Sequence, residues 1–131
     1  MLTQSLAKQL VANATALAAQ QQFHICVAVV DRAGMLVHFE RMDQALLGAI
    51  DVATKKARTA ALFQMNSQDL GLHAHPGGAI YSLEFTNGGM ISFGGGVMIR
   101  DAAGQVIGAI GVAGATVEAD EAIAQQAVRG E

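Results

Sequence analysis

A handful of side chains in this 131-residue chain could do chemistry. His73 and His75 flank Ala74, just before Pro76 and a glycine pair. On an extended loop a His-x-His spacing turns both imidazoles to one side, where they could ligate a metal or haem iron. No cysteine or close acidic cluster completes a zinc set, so no other metal site is expected. Lys55, Lys56 and Arg58 form a basic group that could attract an anion such as a haem propionate or a hydroxy acid. Adjacent helical residues diverge by about 100°, so only one of the two lysines can face a recess. Arg41 and Asp43 bracket Met42. Arg41 could grip a carboxylate with its planar fork, or the two could form a structural ion pair, with Asp43 as a helix N-cap.

Other groups offer less. His24 and His38 fall on strand-like segments, and no serine or cysteine stands beside a dedicated base. Gly94-Gly95-Gly96 lacks the Lys-Ser/Thr of a phosphate loop and precedes a strand rather than a helix. It also lacks the order of a dinucleotide-binding fold. These glycines are better suited to a bend or to the close approach of another chain. Cys26, the single cysteine, sits in an apolar run and reads as a buried, inert thiol.

The elements that must position these groups follow from periodicity. Residues 3–20 read as a helix capped by Thr3, with Leu6, Leu10, Ala14 and Leu17 at helical spacing. Residues 24–30 and 35–41 read as strands joined by Asp31-Arg32-Ala33-Gly34, a hairpin turn. Residues 44–63 read as the longest helix, with Leu46, Ile50, Ala53, Ala57 and Ala61 on one stripe and its basic residues late, where the dipole favours them. A short helical turn is expected around 67–72, and a loop at 73–78. Residues 79–85 and 89–93 are weak strand candidates, and 96–100 and 105–113 stronger ones, joined by Asp101-Ala102-Ala103-Gly104. In the last strand Val106, Ile110 and Val112 point one way, and Ala109, Gly111 and Ala113 the other. The small face invites a helix to come close. Residues 117–129 close the chain as a helix, with Glu118, Asp120 and Glu121 in its first turn. The order predicts a single α+β domain, an antiparallel sheet of about five strands flanked by helices.

The totals narrow the class. The net charge is −3 and the pI about 5.7, which leaves no basic footprint for nucleic acid. Only 15% of residues are charged, so part of the surface is expected to be covered by copies of the chain. No run of about 18 apolar residues exists, so no membrane span is expected. No signal peptide is visible, and a cytoplasmic location is expected.

Four segments carry a resemblance: VAVVDRAGMLVHFERMDQA (27–45), AxxKARTAA (53–61), FGGGVMIRDAAGQVIGAIGVAG (93–114) and ADEAIA (119–124). Together they are similar to the GlcG/HbpS family, which includes the C-terminal domain of PduO-type corrinoid adenosyltransferases. The chain departs from the family pattern at Met98, where proline is frequent, and at Ala113, where serine is frequent. The resemblance implies a profilin-like sheet and homo-oligomers from dimer to octamer. It implies haem as the cofactor in some members, and links to glycolate, glycerol or diol metabolism in others. The expectation is an oligomeric accessory protein that binds a small ligand through Arg41, Asp43, Lys56, His73 and His75, rather than a strong independent catalyst. The rivals are an enzyme or enzyme accessory acting on a small hydroxy acid, aldehyde or diol, and a purely structural assembly component.

Overall fold

The computed structural model describes residues 1–130. The first helix, α1 (Gln4–Gln20), starts where Thr3 accepts a hydrogen bond from the Leu6 amide at 3.1 Å. Its buried stripe is Ala7, Leu10, Val11, Ala14 and Ala18. Strands β1 (Cys26–Asp31) and β2 (Leu36–Arg41) form the first hairpin, and β3 (Gly96–Arg100) and β4 (Val106–Ala113) the second. Both turns are built alike. The Asp31 carboxylate accepts from the Ala33 and Met35 amides, and the Asp101 carboxylate from the Ala103 and Gln105 amides. Gly34 and Gly104 supply the positive φ that each turn needs.

The sheet is antiparallel, in the order β2-β1-β4-β3, with β1 and β4 paired at its centre. It has four strands among the described residues, not about five. The expected strands at 79–85 and 89–93 do not form. Glycine-rich turns and one 3₁₀ turn, Leu83–Phe85, run there instead. Positive φ at Ser82, Asn87, Gly88 and Gly89 breaks the extended backbone a ladder requires.

The two faces of the sheet differ in the size of their side chains. Val27, Val29, Val97, Ile99, Ile110 and Val112 pack with α1 and with α4 (Val117–Arg129). On the other face Ala28, Ala109 and Ala113 meet Ala49, Ala53 and Ala57 of α2 (Ala49–Phe63). A side chain at Gly111 would collide with the Ala53 carbonyl, so glycine is what lets α2 lie directly on β4.

Helix α2 begins at Ala49, five residues later than the sequence pattern suggested, and Asp43 is not its N-cap. Gln44 takes a φ of 68°, and turns at Met42–Ala45 and Leu46–Ala49 occupy the interval. Leu46 and Ile50 leave the expected buried stripe and are 68% and 38% exposed. A further helix, α3 (Ser67–Ala74), is longer than the single turn expected.

Candidate functional site

Lys56 lies in the middle of α2 and is 1% exposed. Its spacing explains this: Ala53, Lys56, Ala57 and Ala60 form one i, i+3, i+4, i+7 stripe against the sheet, and all four are buried. The Nζ donates to the Val112 carbonyl at 2.9 Å and to Asp120 Oδ2 at 3.2 Å. It also sits 5.1 Å from the centre of the Phe93 ring. The basic residue thus meets a specific carboxylate rather than the helix dipole, and Lys55 turns aside to pair with Asp51 at 3.0 Å.

The triple glycine makes the seat for this lysine. A Cβ at Gly95 would come within 2.7 Å of Lys56 Nζ, and one at Gly96 would strike the Lys56 carbonyl. The segment is fastened from two helices. Glu121 Oε1 accepts from the Gly95 amide at 2.8 Å, while the Ser67 hydroxyl accepts from the Gly96 amide at 2.9 Å and donates to the Phe93 carbonyl at 2.7 Å. The predicted close approach is therefore intramolecular, between this loop and α2.

Asp120 was legible only as a first-turn acid favourable to the helix dipole. In the structure it is 3% exposed, and its Oδ1 accepts from the Ala115 amide at 3.0 Å. A signal was present, because Asp120 shares helical spacing with Ile123, Ala124 and Ala127, all buried. Burial pushes the Lys56 pKa down, opposed by Asp120 and then Glu121. Burial pushes the Asp120 pKa up, opposed by Lys56 and the Ala115 and Gly114 amides. The two groups are driven toward sharing a proton across one hydrogen bond.

Beside this pair opens a recess of about 320 Å³. Leu46, Ala49, Val52, Phe93 and Val117 form its apolar wall, and Lys56 and Asp120 are its only ionisable lining residues. Leu46 and Phe93 are exposed at its rim. A second recess, of about 480 Å³, lies near the hairpin turns and includes Arg32, Val37, Gln105 and Ile107.

The other sequence-predicted residues lie elsewhere. Arg41 and Asp43 are both exposed, and no ion pair joins them among the described residues. They stand on the segment that leads to the recess wall at Leu46. His73 lies in the last turn of α3, which Ala74 ends, and His75 follows it; both are exposed and neither lines either of these two recesses. The His75 ring nitrogen Nδ1 lies 2.8 Å from the Pro76 carbonyl. The chain folds back on them, with the Ile80 amide donating to the His73 carbonyl at 3.0 Å. Leu72, Ile80, Tyr81 and Phe85 are exposed on this segment. His24 is exposed and His38 half-buried. Cys26 is buried, and burial raises its pKa against the lowering influence of Arg41. No group of three or more metal-ligating side chains occurs among the described residues.

Comparison with known proteins agrees with this architecture. A family model described as HbpS-like, haem degrading protein HbpS-like, matches residues 2–129. A Citrobacter freundii protein described as an uncharacterized 15.0 kDa protein in the dhaT-dhaS intergenic region is 33% identical over 97% of this chain and 89% of its own length. The corrinoid adenosyltransferase PduO of Salmonella typhimurium is 38% identical over 92% of this chain, which spans only 36% of that longer protein. The crystal structure of a PduOC:haem complex superposes with a TM-score of 0.93 at 35% identity, covering 99% of this chain and 94% of that one.

Proposed function

This chain belongs to the HbpS-like family, and on that footing we propose that it is a self-associating accessory protein that binds haem or a related planar cofactor. The observation that carries the reading is the exposed segment around His73 and His75. Two imidazoles stand there beside the exposed Leu72, Ile80, Tyr81 and Phe85. Such a surface offers iron a nitrogen ligand and a porphyrin an apolar bed, which is the donor set haem requires. The solved haem complex of a 35%-identical protein supports the ligand class.

Arg41 is exposed and forms no ion pair among the described residues, so it is a cation available to a carboxylate. Lys56 already has Asp120 as its partner and contributes the floor of the recess rather than a free charge. Phe85 is 87% exposed, and Leu46, Leu47 and Leu72 each about as open as two-thirds of their surface allows. The exposure of these side chains, which copies of the chain could cover, supports self-association. Work inside the cytoplasm on glycolate, glycerol or diol metabolism is the context this reading favours.

Titrating the purified protein with hemin tests the proposal. The Soret band should shift and saturate at a fixed stoichiometry, and His73→Ala or His75→Ala should abolish the shift. A shift that never saturates, or that survives the double substitution, removes the histidine-ligated reading.

A further inference from the structure

The recess at Lys56 is chemically distinct from the histidine segment. Lys56 stands beside an apolar wall, where burial drives an amine toward its neutral, nucleophilic form against the opposing charge of Asp120, and the Asp120 carboxylate lies within hydrogen-bond reach to carry the proton. The wall of Leu46, Ala49, Val52, Phe93 and Val117 excludes strongly hydrated ligands. Charge narrows the choice further. Lys56 and Asp120 already neutralise each other at 3.2 Å, so an anionic guest would leave one negative charge uncompensated in an apolar site. The guest that fits is small, uncharged and electrophilic.

We propose that Lys56 condenses with short aliphatic aldehydes in this recess, forming an imine, with Asp120 as the proton carrier. The proton leaves Lys56 Nζ for Asp120 Oδ2 across the existing hydrogen bond. The free amine attacks the carbonyl carbon; a C–N bond forms, the C=O π pair moves to oxygen, and a nitrogen proton follows it to give a carbinolamine. Asp120 then returns its proton to the hydroxyl. The C–O bond breaks, water leaves, and the nitrogen lone pair closes the C=N bond of a protonated imine. No oxidant or other co-reactant is needed. The depressed pKa of Lys56 and the raised one of Asp120 suit these roles. The fastening of Gly95 and Gly96 by Glu121 and Ser67 holds the nucleophile in place, while Phe93, 45% exposed, stands at the rim.

The chain has three lysines, Lys8, Lys55 and Lys56, which makes the test direct. The intact protein is incubated with butyraldehyde and sodium cyanoborohydride near neutral pH, digested, and mapped by mass spectrometry. Lys56 should gain one butyl group at least about tenfold faster than Lys8 or Lys55, about 1.4 kcal/mol of preference. Asp120→Asn should slow labelling at Lys56 and leave Lys8 and Lys55 unchanged. Labelling of Lys8 and Lys55 at or above the Lys56 rate, or no labelling of Lys56, overturns the proposal. Since the experiment uses the native chain and no haem, its failure leaves the hemin titration untouched.

Discussion

Lys56 and Asp120 are each nearly without contact with water, and each needs the other. Removing one partner leaves a lone buried charge, which costs about 3–5 kcal/mol. Lys56→Met should therefore lower the urea midpoint strongly, while Lys56→Met combined with Asp120→Asn should recover most of the loss. The pair also sets a pH dependence. In the folded chain Lys56 holds its proton less tightly than its ordinary value of 10.5 implies, and Asp120 holds its proton more tightly than 3.8 implies. The folded state thus gains on the unfolded one as pH climbs toward 10.5 and Lys56 discharges. It gains again as pH falls toward 3.8 and Asp120 takes its proton. Between these limits the charged pair predominates, with the neutral pair from which Lys56 attacks as its minor form, and the pair contributes least. Measured against the double variant at a series of pH values, the native chain's stability should show a minimum near neutrality; a flat difference would contradict the assignment. Glu121, which also faces Lys56, is present in both proteins and does not alter the sign.

At the scale of elements, the decisive contact is α2 on β4. Gly111→Ala drives a methyl group into the Ala53 carbonyl, and backbone cannot yield as a side chain can. A loss of about 1–3 kcal/mol or more is expected. Gly48→Ala, at the start of α2 with open space around it and an ordinary helical φ of −62°, should change stability by less than about 0.5 kcal/mol. Thermal or urea unfolding of the two variants checks the contrast. Much of this layer was legible in the sequence. The Ala109, Gly111 and Ala113 face announced a closely packed helix, and the two Asp-x-x-Gly turns announced both hairpins. The start of α2 was not legible, because Asp43 fits an N-cap pattern while the left-handed Gln44 that forbids it leaves no mark in residue type. Residues 79–93 misled for a related reason. Their apolar side chains suggested strands, but the backbone runs through turns, on which Ile80, Tyr81, Phe85 and Phe93 face outward while Met90 is buried. The site was half visible. Lys56 lay on the apolar stripe of α2 and Asp120 on that of α4, yet nothing in one dimension said that the stripes converge.

Over the whole molecule, the sheet divides two kinds of interior. One side holds branched side chains between the sheet and the α1–α4 pair, and the other holds alanines beneath α2. Truncation is costly on the first side and enlargement on the second. Val112→Ala should cost about 2 kcal/mol through lost burial, and Ala57→Leu should cost at least as much through overpacking. Both are measurable by urea unfolding. No helix among the described residues is long and apolar enough to cross a membrane. Leu46, Phe93 and Val117 are exposed at the recess rim, and Leu72, Ile80, Tyr81 and Phe85 on the histidine segment; Met1, Met35 and Leu36 are exposed elsewhere. If these groups meet in an assembly, sedimentation velocity should show Phe85→Ser or Leu47→Ser shifting the protein toward smaller species.

The nesting of the Ala53 and Lys56 carbonyls over Gly111 and Gly96 has a mechanical corollary. These contacts act as two pegs set in two notches, and α2 can neither slide along β4 nor roll upon it without riding over a neighbouring side chain. Any breathing that admits a guest must then come from the exposed rim side chains Phe93, Leu46 and Val117, with the lysine's own helix as the fixed jaw.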